Sequence, residues 1–291
     1  MGSLPQTLVY GVLVGALYGL AAVGLSLVFG VTDFLNVAHG ELLMLGGYAS
    51  FWLFNLLGVD PFASIPLSII FLLLIGFILY RVLFVRMVKL PTEDKIRNTL
   101  LVGFGLGLIL QNVAQRLWTA DIRSITPDYV GAVFEVAGVR FPIVRVAGLV
   151  ISFVALIGLQ LFLRRTYMGK AIRATVEDWE AATMMGINVY RVYLLSFVMG
   201  AALAGVAGTL VGVGYSLEPA MGMHWTLTSM IVMVLGGFGS ITGTFVGGIV
   251  LGVTEAAASI IIGSNYRQVV GLVIFILVLI VRQSLLTPRE G

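Results

Sequence analysis

The chain has 291 residues, 59% of them hydrophobic and 11% charged, with a mean hydropathy of +1.06 and a formal net charge of +3. A soluble domain carries about 25% charged residues and needs a polar surface whatever its core, so a soluble globular protein is excluded. With no Cys and only two His, disulfides and thiolate metal sites are excluded as well, and no metal or other cofactor is expected.

The N-terminal MGSLPQTLVYG lacks the basic region of a cleavable signal peptide and reads as the start of the mature chain. A membrane-spanning helix needs about 20 mostly apolar residues. Such runs fall at 7–30, 41–58, 62–85, 97–117, 142–163 and 192–215. The longer stretch 227–262 is interrupted by LGGFGSITG and divides into 227–238 and 242–262; a last run covers 267–282. None alternates apolar with polar residues, as barrel strands do. The expectation is an all-α polytopic membrane protein forming one transmembrane domain over 1–291, with about nine transmembrane segments (8–10), some short or broken.

Lys and Arg in short loops set orientation. Arg81, Arg86, Lys89, Lys95 and Arg97, then Arg164, Arg165, Lys170, Arg173 and Arg191, then Arg282 and Arg289 alternate to one side, giving it twelve of the seventeen basic residues. Arg116, Arg123, Arg140, Arg145 and Arg267 fall on the other. The richer side is cytoplasmic, so the N-terminus is outside and the C-terminus inside. The net positive charge is therefore a matter of orientation, and no nucleic-acid partner is expected. Residues 118–141 form an extracytoplasmic loop and 164–191 a cytoplasmic one, with Trp118 and Trp225 at the outer boundary.

Four segments carry chemistry. In DFLNVAHGE, Asp33 and Glu41 would each cost about 2.5–3.5 kcal/mol at the centre of a lipid-facing helix, so they face protein, water or the interface. The plain reading is a polar turn between helices. The functional one is a helix break lining a pathway, with Asn36 and His39 as neutral hydrogen-bonding groups for a passing zwitterion. In VLGGFGSITGTFVGG there is no P-loop lysine, since the chain has only Lys89, Lys95 and Lys170. Spaced glycines such as Gly239 and Gly243 read as helix packing, and Ser240, Thr242 and Thr244 add hydroxyls at a kink. In the 164–191 loop, a helix is expected from Thr175, with Asp178 near its start and one apolar stripe of Trp179, Ala182, Met185 and Gly186. Its mixed polar face suits a protein partner better than a lipid surface. Glu255, a lone carboxylate within a span, is either an ion relay or a hydrogen bond between helices.

MLGGYAS at 44–50 and VLGGFGS at 234–240 share Leu-Gly-Gly-aromatic-x-Ser at a step of 190 residues, on segments expected to run in opposite directions. Either this is coincidence in a Gly-rich chain, or it is the mark of an inverted repeat, as in transporters that alternate access. Gly46, Gly47, Gly236 and Gly237 then belong with Gly239 and Gly243 as packing glycines.

Taken in order, these motifs support a recognition. NVAHGELLMLGGY at 36–48, EAATMMG at 180–186 and VLGGFGSITGTFVGGIVLGVTEA at 234–256 resemble the signatures of the branched-chain amino-acid permeases of ABC importers. Permeases for urea or short amides share much of the pattern. At Arg282 the chain reads RQSLL where the family often has Arg-Pro-x-Gly-Leu. The resemblance implies a multi-pass protein of the bacterial-type inner membrane that is a transport subunit rather than an enzyme. It implies a second permease subunit, two cytoplasmic ATP-binding subunits and an extracytoplasmic solute-binding protein as partners. ATP-driven alternating access would then move Leu, Ile or Val. Asn36, His39, Glu41, Ser240 and Thr242 would line the pathway, and Glu180, Ala181, Ala182 and Gly186 would couple it to the ATPase. A carrier or channel working alone would need its own ion-coupling acids, and only Glu255 lies within a span.

Overall fold

A backbone in lipid must satisfy its own N–H and C=O groups, so long apolar runs close on themselves as helices. The structure, a computed structural model describing residues 4–263 and 266–286, has helix at all nine expected segments. In chain order they are α1 (Leu4–Thr32), α2 (His39–Leu57), α3 (Ile65–Val82) and, after a 3₁₀ turn at Phe84–Met87, α4 (Thr92–Trp118). A hairpin, β1 (Val133–Val136) and β2 (Val139–Pro142), precedes α5 (Ile143–Arg165), α6 (Tyr167–Glu177) and α7 (Trp179–Met184). The rest are α8 (Val189–Gly214), α9 (Met221–Gly236), α10 (Ile241–Ile262) and α11 (Arg267–Leu286). With neither Pro nor Gly in RQSLL, α11 runs on through it; Arg289 lies outside the described residues.

Among the described residues six helices are long and apolar enough to cross a membrane: α1, α3, α4, α5, α8 and α10. Of these, α1 and α8 are the most enclosed, whereas α3, α4 and α5 leave most of their apolar surface uncovered. Lipid supplies little hydrophobic drive between helices, so contact depends on close backbone approach. A Cβ on Gly11 would stand 2.7 Å from Val253 Cα, one on Gly15 2.6 Å from Ile249 Cα, and one on Gly252 2.5 Å from Gly15 Cα. These pairs zip α1 and α10 together antiparallel. Gly46 packs on Gly205 of α8, Gly47 on Gly208 and Leu217, and Gly236 on Gly243. Gly237 differs: its φ of 93° is the reason for glycine there. Gly239 combines a φ of 75° with contact to Gly30.

The helices do form an inverted arrangement, but not in the register of the Leu-Gly-Gly echo. The first Leu-Gly-Gly lies inside α2, while the second ends α9 and opens the following turn. The backbone instead repeats at a step of 182 residues: α1 ends at Thr32 and α8 at Gly214, and α2 starts at His39 and α9 at Met221. At this step Ala38-His39-Gly40 falls on Ala220-Met221-Gly222. The corresponding helix pairs are each joined by a hydroxyl bond, though not at that register. The Thr244 hydroxyl donates to Ser26 (2.9 Å), joining α10 to α1, and Thr209 donates to Ser68 (3.2 Å), joining α8 to α3.

The residues 119–142 sit at the end of the bundle where α4 closes. There Trp118 stacks on Tyr48 with centroids 4.2 Å apart, and Arg123 lies over the Phe51 and Trp52 rings. The Tyr129 hydroxyl donates to Asp60; burial and that carboxylate push the phenol above its usual range. Trp118 closes α4 at this end. Trp225, expected at the same boundary, lies instead in the second turn of α9, buried between Tyr18 and Tyr215, because α9 begins inside the bundle.

Candidate functional site

The polar cluster of residues 33–41 solves a backbone problem first. Helix α1 runs to Thr32, and the chain then doubles back, so that α2 begins beside the middle of α1. The His39 Nε2–H donates to the Ala21 carbonyl at 2.9 Å, and a Cβ on Gly24 would stand 3.0 Å from the His39 ring. Non-helical backbone survives at such depth only where protein satisfies it. The partners are specific. The Asp33 N–H bonds Phe29 O, the Phe34 N–H bonds Thr32 Oγ1, and the Leu35 N–H bonds Thr99 Oγ1 on α4. Asn36 Oδ1 accepts from the Ala38 N–H. Thr226 of α9 closes the set: its Oγ1 accepts from the Gly40 N–H and its hydroxyl donates to Val37 O, each at 2.9 Å.

Two helix starts therefore meet inside the bundle. A Cβ on Gly40 would collide with the Gly222 carbonyl oxygen, and one on Gly222 would collide with the Glu41 carboxylate. From this contact α2 leaves toward Trp118, and α9 leaves toward Gly243 at the opposite end. Glu41 is buried in the first turn of α2 and lies against the first turn of α9. Each helix N-terminus carries roughly half a positive charge, so two of them face one carboxylate. Its Oε2 has no hydrogen-bond partner among the described residues.

The expected pathway residues thus divide. Asn36, His39 and Glu41 come together, with Asn36 and His39 engaged in the chain's own bonds. Ser240 and Thr242 lie apart, at the α9–α10 turn: Ser240 Oγ caps α10 by accepting from the Gly243 N–H, and Thr242 is exposed and bonded to Gln160. Thr244 is buried on Ser26 and faces no pore. Glu255 accepts from the Tyr18 hydroxyl at 3.2 Å, which favours the interhelical reading of that carboxylate. Thr32, Thr99, Thr226 and Gly222 escaped sequence reading. The 182-residue step would have pointed to Gly222, since it pairs Gly222 with Gly40; the threonines carried no signal.

Thr226→Val keeps shape and deletes both hydroxyl bonds. A buried polar group left unsatisfied costs about 1–3 kcal/mol, and two are left here. The melting temperature of the detergent-solubilised protein is expected to fall by about 5 °C or more. An unchanged value would show that water or relaxation replaces the hydroxyl.

At the end of the bundle opposite the hairpin, the helix expected from Thr175 is in fact two. Thr175 lies inside α6, bonded to Ala171 O, and the chain breaks at Asp178. Asp178 caps α7 by accepting from the Glu180 and Ala181 N–H groups, both at 2.9 Å. Of the expected apolar stripe only Ala182 turns inward, while Trp179 is 54%, Met184 85% and Met185 84% exposed. Glu180 points out, and Gly186 stops the helix at φ 83°.

Comparison with known proteins adds family to this geometry. Residues 7–279 match the family described as branched-chain amino acid transport system / permease component. The chain is 34% identical to the high-affinity branched-chain amino acid transport system permease protein BraD of Pseudomonas aeruginosa, over 96% of this chain and 94% of that one. It is 33% identical to LivH of Escherichia coli K12, a permease protein of the same description, over 95% and 92%. More distantly, it is 24% identical to the xylose transport system permease protein XylH of Haemophilus influenzae, over 80% and 76%.

Proposed function

The chain belongs to the family of permease components of branched-chain amino acid transport systems, and from that premise we propose that it carries Leu, Ile or Val through the inner membrane as one subunit of an ATP-driven importer. The observation that carries the solute assignment is the match along nearly the whole chain to two permeases of that description. The partners in this reading are a second permease subunit, two cytoplasmic ATP-binding subunits and an extracytoplasmic solute-binding protein. The α7 end, rich in Lys and Arg, is cytoplasmic, and residues 118–141 face the binding protein. Glu180, Ala181, Ala182 and Gly186 form the coupling surface; the exposed Trp179, Met184 and Met185 beside them support it. Moving such an equilibrium from 1:99 to 99:1 takes roughly 5.5 kcal/mol of differential binding, which ATP binding to the partners supplies.

In the pathway, we assign the solute's ammonium to Glu41, whose free oxygen supports the assignment. Asn36 and His39 hold the wall from behind, and Ser240 and Thr242 flank the cytoplasmic exit. Reconstituted with its partners, the chain is expected to support ATP-dependent uptake of Leu, Ile and Val but not of urea. Uptake without the ATP-binding subunits would instead identify a carrier working alone. Glu41→Gln is expected to raise the KM for uptake at least tenfold, since a bond between charged groups is worth about 1.5–3 kcal/mol and 1.4 kcal/mol is tenfold. An unchanged KM would remove Glu41 from the pathway and leave the family reading intact.

A further inference from the structure

A cavity of about 690 Å³ opens at the α7 end, between the α3–α4 connection and the junction of α7 with α8. That size is within the range of small-molecule sites, about 300–1,000 Å³. Its lining includes Lys89, Leu90, Lys95, Trp179, Tyr190 and Tyr193, and no carboxylate among the described residues. Lys95 is the unusual member. Lysine is almost never fully buried unless paired, yet Lys95 is 6% exposed. No acidic group lies within 4 Å of its ammonium among the described residues. It sits 5.6 Å from the Tyr193 ring centre, and Asp33, the carboxylate that feels its charge, does not line the cavity.

We propose that this cavity binds a phosphate-bearing anion carried on an apolar or aromatic body. Lys95 and Lys89 meet the phosphate, and Trp179, Tyr190 and Leu90 cover the body. Lysine is a ready phosphate partner as a point charge, and two ammonium groups line this cavity with no carboxylate on its walls among the described residues. Two sources share this chemistry: the headgroup of an anionic phospholipid, which basic residues at a cytoplasmic membrane surface attract, and a soluble phosphate ester. Because the walls come from both the α3–α4 connection and α7, an occupant braces one against the other. The site stands on the cavity and its lysines, and does not depend on the solute carried.

The test uses the complete purified complex in an uncharged detergent. It is titrated with dihexanoyl phosphatidylglycerol, dihexanoyl phosphatidylcholine and phenyl phosphate, and bound ligand is counted by native mass spectrometry. Phosphatidylglycerol is expected to bind in preference to phosphatidylcholine, at one equivalent per chain. Lys95→Gln is expected to lower that occupancy at least fivefold. Lys89→Gln, at an exposed side chain, is expected to lower it about threefold and serves if Lys95→Gln does not fold. Tighter binding of phenyl phosphate than of phosphatidylglycerol identifies a soluble ester, and the reverse order a lipid headgroup. Equal binding of the two lipids, or occupancy indifferent to both lysines, overturns the proposal. So does loss of the ATP-binding subunits in Lys95→Gln with ligand occupancy unchanged, which would give the cavity to an acidic segment of that partner.

Discussion

A single methyl group at Gly40 is expected to prevent the protein from accumulating. The Cβ of Gly40→Ala would overlap the Gly222 carbonyl and stand 2.6 Å from Thr226 Oγ1. Side-chain overpacking in a core costs about 1–3 kcal/mol because rotamers can adjust. Here the obstacle is backbone, held by the Thr226 hydroxyl, which accepts from the Gly40 N–H and donates to Val37 O, so relief means separating α2 from α9. Membrane levels of the mature protein are expected to fall at least tenfold on immunoblots. Gly105→Ala in α4, where an added Cβ meets nothing within 4 Å, is the control and should be neutral. Normal levels of Gly40→Ala would show that the two helix starts do not touch.

The second large effect concerns α7. Glu180→Ala combined with Gly186→Trp changes two outward positions: Glu180 is exposed, and a Cβ at Gly186 meets nothing within 4 Å. Gly186 has φ 83°, so the indole also carries a backbone strain of about 1–2 kcal/mol. Neither change touches the buried core. If α7 seats on the ATP-binding subunit, the indole obstructs the seat and the amino acids moved per ATP hydrolysed are expected to drop at least tenfold. The measurement is paired uptake and phosphate release in proteoliposomes. An unaltered ratio would place the coupling surface elsewhere.

Much of the helical layout was legible because lipid enforces it: a run of about 20 apolar residues has few alternatives to a span. What escaped depends on tertiary partners. Trp225 reads as interfacial until α9 is seen to begin inside the bundle. The Leu-Gly-Gly echo misled by eight residues, since glycine recurs for two reasons: Gly46 for close packing, Gly237 for a positive φ. The polar stretch at 33–41 was conspicuous by its cost, but nothing local shows that Asn36 binds backbone two residues on. Thr226, which ties that stretch 186 residues away to α9, looks in the sequence like any threonine in a span.

The antiparallel zipper of α1 and α10 has a consequence for biogenesis. Helix α1 leaves the ribosome long before α10 and ends as the most enclosed of the long apolar helices among the described residues. Yet Gly11 rests against Gly252. At about 5–20 residues per second of synthesis, α1 waits roughly 10–50 s for the helix that covers it. During that interval its glycine stripe faces lipid or the insertion machinery, with no native neighbour there. A nascent chain stalled before residue 241 therefore presents an unzipped first helix, the form that membrane quality-control proteases are placed to remove.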